Sequence, residues 1–335
     1  MKLVKYLSIG LAATLAASLI SCKEESADSS KKETVTISSL NQEKQAIELE
    51  VKKNPERIAI LDMACLDIID ALGEGDKVVA CATTTITYLE HYSPNNNKNI
   101  ANIGTVKKAD MEALYAAEPD IIFIGGRLSA SYNELSKVAT TVYLATNSTT
   151  GVVASTKHNA KEISKIFDKE DKVASLMASY STRIDAIKEF SKNVSCLNTL
   201  VSGSSINVLN NNGNLSLIGV ECGFNNLGNV SSDATHGDSV SFEYLVKQDP
   251  EYIFVLDRNS VTGDTNIAKD VVENEVVKQT NAYKNNKIIY LEHSNVWYTA
   301  SGGITALGVM LDDLELGLGP VSYTHLRAHE TLSDL

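Results

Sequence analysis

An internal repeat constrains this chain more than any other feature of its sequence. Residues 110–127 (DMEALYAAEPDIIFIGGR) align without gaps with residues 241–258 (SFEYLVKQDPEYIFVLDR), and six of the 18 positions are identical. Each copy predicts a short amphipathic helix, an acidic-Pro-acidic turn, a buried strand and an arginine just beyond the strand. The repeat therefore predicts two related α/β lobes, one in each half of the chain.

The two arginines that end the repeats are candidate ligand-binding residues. Ligands of open α/β sheets bind beyond the carboxyl ends of the strands, so Arg127 and Arg258 are expected to face one cleft between the lobes. A guanidinium suits anionic oxygens because it donates paired, charge-assisted hydrogen bonds. The symmetric pair therefore predicts an anionic ligand.

Strands alternate with helices in both halves of the chain. Apolar runs bounded by turn residues predict strands at residues 57–61, 77–80, 120–124, 141–144, 206–209, 252–256 and 287–291. Three-to-four spacing of apolar residues predicts a helix over residues 155–192, with a break near Asp168. The pattern indicates an α/β fold with two Rossmann-like lobes, residues 45–154 and 193–319, joined by this interdomain helix.

The amino-terminal segment predicts export. A basic start and a short apolar run end on Leu-Ile-Ser before Cys22, which is typical of a bacterial lipoprotein signal peptide over residues 1–21. Cys22 is then the lipid-bearing residue, and residues 22–44 form a polar tether. An ordinary secretory signal with an incidental cysteine is the alternative. Either way the protein is expected outside the cytoplasm, and the lipoprotein signal anchors it to the cell membrane.

The carboxyl-terminal segment is predicted to be translated adapter sequence, not native protein. Residues 320–335 begin PVSYTHLRAHET, which back-translates into a sequence resembling the adapter used in sequencing-library preparation. We therefore expect that the natural gene is cut short or fused near Gly319, and we exclude His325 and His329 as ligands.

Charge and cysteine spacing exclude several classes of function. The chain has 30 Lys and Arg against 42 Asp and Glu and contains no basic stripe, which argues against nucleic acid as a partner. Four further cysteines form no CxxC and no zinc-site spacing with histidine: Cys65, Cys81, Cys196 and Cys222. One disulfide in each lobe and free buried thiols both remain open.

Three more residues are candidates for the cleft. His236 lies in a turn-rich loop, where a neutral imidazole can ligate a metal, although an exposed loop histidine is the plainer alternative. Trp297 and Tyr298 precede Ser-Gly-Gly; Tyr298 offers a phenolate to a hard cation. Trp297 is either a stacking wall for the ligand or a core aromatic.

No enzyme motif is present in the sequence. It contains no GxSxG, P-loop, HExxH or GxGxxG pattern. We therefore expect a protein that is not an enzyme and has no permanently bound cofactor.

Several ordered motifs resemble one family, the iron–siderophore substrate-binding lipoproteins of ABC importers. These belong to the class of solute-binding proteins with a helical backbone between the lobes (class III), and the likeness is to the catecholate branch. The motifs are LDMACLDIIDALG (61–73), IGTV (103–106), EPDIIFIGGR (118–127), THGDSVSFE (235–243), FVLDRN (254–259) and NVWY (295–298).

The resemblance implies a shared cleft and a role for each candidate. Arg127 and Arg258 match arginines that hold the anionic complex, while His236 and Tyr298 match a pair that completes iron coordination when the siderophore is tetradentate. Glu221 stands where the family has a third arginine, so it is expected at the ligand in place of a positive charge. The implied partners of this monomer are a ferric siderophore and an ABC permease, with iron as cargo.

Two alternatives to a siderophore remain at this point. The same fold could bind haem, a corrinoid or another metal chelate, since a fold does not select its ligand. An exported hydrolase or metalloenzyme is the alternative from another class, although no nucleophile–base or zinc signature supports it.

Overall fold

A computed structural model of the chain describes residues 33–147, 149–228 and 236–319. The signal peptide, Cys22 and residues 320–335 lie outside these ranges. The strands of the described part are β1 (Thr34–Leu40), β2 (Ala46–Lys52), β3 (Ile58–Ile60), β4 (Val78–Cys81), β5 (Ala101–Asn102), β6 (Gly104–Thr105), β7 (Lys108–Ala109), β8 (Ile121–Ile124), β9 (Thr140–Tyr143), β10 (Ser195–Ser202), β11 (Ser205–Leu209), β12 (Asn225–Asn226), β13 (Asp238–Val240), β14 (Tyr252–Asp257) and β15 (Ile288–Tyr290).

The α-helices of the same ranges are α1 (Met63–Ala71), α2 (Met111–Ala117), α3 (Tyr132–Leu135), α4 (Gly151–Ile166), α5 (Glu170–Phe190), α6 (Phe242–Gln248), α7 (Arg258–Thr262), α8 (Ala268–Val272), α9 (Asn281–Lys284), α10 (Ser294–Thr299) and α11 (Ile304–Leu318). None of the described helices is both long and apolar enough to cross a membrane.

The amino-terminal lobe is built on a parallel sheet. Its strand order is β5-β4-β3-β8-β9, and every adjacent pair runs parallel. All four residues of β8 are buried, as expected for a strand covered on both faces. The strand order reverses direction between β3 and β8, so the crevice beyond their carboxyl ends is where such sheets bind ligands.

The carboxyl-terminal lobe departs from the Rossmann-like prediction. Its sheet has the order β13-β11-β10-β14-β15, with β12 paired to β10. Strands β10, β14 and β15 are parallel, but β11 and β13 are antiparallel to their neighbours. A tight turn at Gly203, whose φ is +61°, joins β10 to β11 as a hairpin, and a hairpin reverses chain direction. The order still reverses between β10 and β14.

The predicted repeat is present in the structure. Helices α2 and α6 each end on an acidic residue with left-handed backbone, Glu118 (φ 44°) and Asp249 (φ 43°). A proline follows each of them, and β8 or β14 then begins. The two copies share this backbone geometry as well as their sequence, which confirms the predicted helix–turn–strand repeat.

The interdomain connection is two helices rather than one. Helix α4 begins at Gly151, four residues before the predicted start, and α5 ends at Phe190. Asp168 separates them with a φ of 53°, which confirms the predicted break. Left-handed backbone at a residue other than glycine cannot continue a right-handed helix.

The predicted tether is too long, because its second half is folded. Residues 34–40 form β1, which pairs antiparallel with β2 over seven residues. Ile37 is buried, and Ser39 Oγ accepts a hydrogen bond from Tyr143 N at 3.0 Å. This hairpin therefore packs on the edge of the amino-terminal sheet beside β9.

Helix α11 joins the two lobes rather than belonging to the second alone. Its first turn donates two backbone hydrogen bonds to Asp67 of α1, from Thr305 N at 2.9 Å and Ala306 N at 2.8 Å. A carboxylate suits this position because helix amino termini carry unpaired N–H groups and partial positive charge. The four cysteines in the described ranges are buried and free, so no disulfide joins any pair of them here.

Candidate functional site

The two repeat arginines lie at the two points where strand order reverses. Arg127 follows β8, and Arg258 follows β14 as the first residue of α7. Arg258 Nη1 donates to Ser202 Oγ, at the end of the neighbouring strand β10, over 2.8 Å. Both guanidinium groups therefore stand at the carboxyl ends of the parallel strands, where the repeat predicts them.

Tyr298 brings the two arginines together. Arg127 Nη2 donates to the Tyr298 carbonyl oxygen at 2.9 Å, and the guanidinium carbon lies 5.3 Å from the centre of the tyrosine ring. Arg258 Nε donates to the Tyr298 hydroxyl at 3.2 Å. Arg127 comes from the amino-terminal lobe and Arg258 from the carboxyl-terminal lobe, so Tyr298 is the meeting point of both.

His236 completes this group. Its imidazole stacks on the Tyr298 ring, with the ring centres 6.0 Å apart and the planes 17° from parallel. Burial lowers the pKa of His236 below its ordinary value, and the positive charges of Arg258, Lys107 and Arg127 lower it further. The imidazole is therefore neutral at pH 7, which is the form that can bind a metal ion.

Lys107 is a cation near His236 that the sequence analysis did not select. It lies between β6 and β7, is exposed, and is close enough to His236 to shift its pKa. A lone lysine in a short hairpin carries no distinctive pattern, and the repeat has no second copy of it. Three cations therefore surround His236 and Tyr298.

The pKa of His236 provides a test of this geometry. Lys107→Gln is expected to raise the His236 pKa toward 6.5, because one of the charges that repels the proton is removed. Lys108→Gln is the matched control on the same hairpin. NMR titration of the His236 ring would contradict the arrangement if Lys107→Gln left the pKa unchanged, or if both variants shifted it equally.

The prediction that Trp297 stacks against the ligand is wrong. Its side chain is fully buried (0% exposed), and its Nε1 donates to Asp313 Oδ2 at 2.8 Å. The same carboxylate accepts from His293 N at 3.1 Å and contacts the His293 ring at 2.7 Å. Trp297 is thus a core aromatic that fixes α10 on α11 and so helps to hold Tyr298 in place.

Glu221 also has a different role from the one predicted. Its Oε1 accepts from Val153 N at 2.9 Å, in the first turn of α4. A carboxylate there offsets the partial positive charge of the helix amino terminus. Burial raises the pKa of Glu221, and its other carboxylate oxygen is buried with no hydrogen-bond partner among the residues that the structure describes. These contacts direct the side chain to the interdomain helix instead of the two arginines.

A cavity of about 430 Å³ adjoins Arg127 and Tyr298. Asp62 and Thr146 line it from the amino-terminal lobe, and Ser301 lines it from beyond α10. Asp62 caps α1 by accepting from Cys65 N at 3.0 Å. A side chain at Gly125 would place its Cβ 2.0 Å from Asp62 Oδ2, so only glycine leaves room for that carboxylate.

The site can bind an anion and can offer two groups to a metal that arrives with it. No group of three or more His, Cys, Asp or Glu residues with metal-binding geometry occurs in the ranges that the structure covers. A nitrogen of His236 and the phenol oxygen of Tyr298 fit a cation that already has other ligands. The arrangement therefore favours an anionic metal complex over a bare ion.

Sequence comparison identifies relatives over most of the chain. A family model described as periplasmic binding protein matches residues 58–294. The petrobactin-binding protein YclQ of Bacillus subtilis is 35% identical over 277 residues, covering 80% of this chain and 84% of YclQ. The ferric-anguibactin-binding protein FatB of Vibrio anguillarum is 27% identical over 282 residues, with the same two shares, 80% and 84%.

Solved structures agree with the sequence comparison. The crystal structure of YclQ aligns with a TM-score of 0.78 and 34% identity, covering 86% of this chain and 99% of that one. The periplasmic catecholate-siderophore binding protein VctP of Vibrio cholerae aligns with a TM-score of 0.75 and 31% identity, covering 84% and 99%. Because the family model matches well over half of the residues, this chain belongs to the periplasmic binding protein family.

Proposed function

We propose that the chain binds a ferric siderophore of the catecholate type in the cleft between its lobes. The observation that carries the proposal is the convergence of Arg127 and Arg258, one from each lobe, on Tyr298 beside a neutral His236. Ferric catecholate complexes are anionic, and guanidinium groups bind anionic oxygens through charge-assisted hydrogen bonds. The names of YclQ, FatB and VctP, each a siderophore-binding protein, support the same class of ligand.

The His236 and Tyr298 pair is proposed to contact the iron itself. Octahedral ferric iron held by four siderophore oxygens has two positions left, and an imidazole nitrogen with a phenol oxygen can fill them. The Arg258 guanidinium beside the Tyr298 hydroxyl offsets the negative charge of a metal-bound phenolate. Iron is thus part of the cargo, and the protein contributes ligands only while the cargo is bound.

The family and the amino-terminal sequence both support a role for the chain at the cell membrane. As a substrate-binding protein of an ABC importer, the chain passes the complex to a membrane permease and catalyses no reaction. The lipoprotein signal proposed at Cys22 holds it at the membrane outside the cytoplasm. Haem binding is the second candidate. Haem requires an axial ligand but does not require two arginines beside a His–Tyr pair, so this arrangement favours an anionic chelate.

A ligand panel tests the proposal. The mature chain with Cys22→Ser is titrated with a ferric catecholate, a ferric hydroxamate and haem, following quenching of Trp297 and the visible spectrum. Trp297 is the only tryptophan and adjoins Tyr298 in sequence, so a coloured complex in the cleft quenches it. Saturable quenching by the ferric catecholate is expected. Binding of haem alone, with a Soret band, would contradict the proposed ligand.

A further inference from the structure

A second cavity continues the first one away from the iron-binding pair. It measures about 630 Å³ and runs beneath the β1–β2 hairpin, where Ser38 and Ser39 line it. The two cavities share six lining residues: Lys44, Gly126, Leu144, Ala145, Thr146 and Asn159. Together they form one space, which we call the hairpin pocket, and Arg127 stands at its opening to the cleft.

The hairpin pocket carries an excess of positive charge. Lys44 lies at the hairpin turn, and within the described residues its ammonium has neither an ion pair nor a hydrogen-bond partner. Arg127 uses one guanidinium nitrogen on the Tyr298 carbonyl. Asp62 is the acidic residue among the lining residues, and its carboxylate is engaged at the start of α1. Two cations against one carboxylate leave the pocket suited to an anion.

Two polar side chains belong to the lining of the same space. Ser301 lines the part beside Arg127, and its Oγ is buried with no hydrogen-bond partner in the described structure. A buried hydroxyl left unpaired is costly, which indicates that something else in the pocket completes it. Asn159, only 4% exposed, lines both parts of the pocket, and its Nδ2 donates to the Ala145 carbonyl oxygen at 3.4 Å.

We propose that the hairpin pocket is a carboxylate subsite. Lys44 and Arg127 would supply charge, and Ser301 a hydrogen bond, to a carboxylate that lies beyond the iron-binding groups. This inference rests on the proposed function and names a further feature of the cargo: a carboxylate on the siderophore backbone or, from solution, a small carboxylate bound together with the complex. The pocket volume lies in the range that ligand groups occupy in protein sites.

The test compares two ferric complexes that differ only at this group. One is a synthetic bis-catecholate with a backbone carboxylate, and the other is the same compound as its primary carboxamide. The wild-type chain is expected to bind the carboxylate form about tenfold more tightly. A tenfold change in affinity is the effect expected from one charge-assisted hydrogen bond. Lys44→Gln is expected to remove this preference, whereas Lys44→Arg, which keeps the charge, retains it.

Controls separate this inference from the proposed function. Lys247 lies in the last turn of α6, before the amino end of β14 and therefore away from the cleft. The Lys247→Gln variant should bind both complexes as the wild type does. If added acetate raises the affinity of the carboxamide complex in the wild type but not in Lys44→Gln, the carboxylate comes from solution. Equal affinity for both forms, unaffected by acetate, would overturn the subsite alone. Failure of both complexes to bind would overturn the proposed function.

Discussion

Replacing both cleft arginines, Arg127→Gln with Arg258→Gln, is expected to weaken binding of a ferric tris-catecholate by about 10²- to 10⁴-fold. Hydrogen bonds to charged groups contribute roughly 1.5–3 kcal/mol each, and every 1.4 kcal/mol is a factor of ten in affinity. Each arginine lies at the carboxyl end of a parallel strand and contacts Tyr298 from its own lobe. Their loss therefore removes charge from both sides of the ligand.

The control for this double variant is Arg57, another arginine of the amino-terminal lobe. Arg57 donates to the Glu118 and Ala117 carbonyl oxygens at the amino-terminal edge of the sheet, away from the cleft. Arg57→Gln should leave affinity unchanged even if it lowers the melting temperature. Wild-type affinity should also fall with added salt, because exposed charges are screened. A double variant that binds with wild-type affinity would refute the role of the arginines.

Tyr298→Phe is expected to weaken binding of a ferric complex of a tetradentate bis-catecholate by at least about tenfold. Loss of even a supporting group commonly costs 10- to 100-fold at a metal site, and here a ligand atom is removed. The charge-transfer band of the bound complex should shift as well. His236→Ala should act in the same direction, since its ring is stacked beside that of Tyr298.

A hexadentate tris-catecholate separates metal coordination from packing. Its iron has no open position, so the loss of the phenol oxygen should affect it little. If the phenol instead acts by accepting the hydrogen bond from Arg258 Nε, Tyr298→Phe would weaken both complexes alike. An equal loss of affinity for the two ligands, with no spectral change, would assign Tyr298 to positioning Arg258 rather than to binding iron.

The repeat predicted the most important part of the architecture. Arg127 and Arg258 could be placed in one cleft because each ends a buried strand, and strand ends determine where side chains meet. The left-handed residue before proline in each copy, Glu118 and Asp249, shows that the likeness extends to the backbone. Every strand predicted from an apolar run was confirmed, because burial on both faces leaves a continuous signal.

One of the strands that the sequence analysis missed, β10, shows where this signal fails. The central strand β10 contains Asn198 and Thr199, which are fully buried although they are polar. Thr199 Oγ1 donates to the Phe254 carbonyl oxygen on the next strand, so tertiary contacts satisfy a group that interrupts the apolar run. Periodicity cannot reveal a partner that lies 55 residues away.

The direction in which a side chain points was the other feature that could not be predicted from the sequence. Trp297 was placed near the ligand by its neighbours in sequence and Glu221 by the family resemblance. In the structure Trp297 Nε1 donates to Asp313 in the core, and Glu221 accepts from the start of α4. Lys107 was missed for the opposite reason, because only the fold brings its hairpin close to His236. Adjacency in sequence indicates the element, whereas tertiary packing decides where the side chain points.

A crystal structure of the mature chain with a ferric bis-catecholate tests the central claim most directly. We expect iron in the cleft between the His236 imidazole and the Tyr298 hydroxyl, with catecholate oxygens at Arg127 and Arg258. Anomalous scattering at the iron edge would locate the metal without ambiguity. A ferric complex bound elsewhere on the chain, with these four side chains in contact with solvent only, would contradict the account.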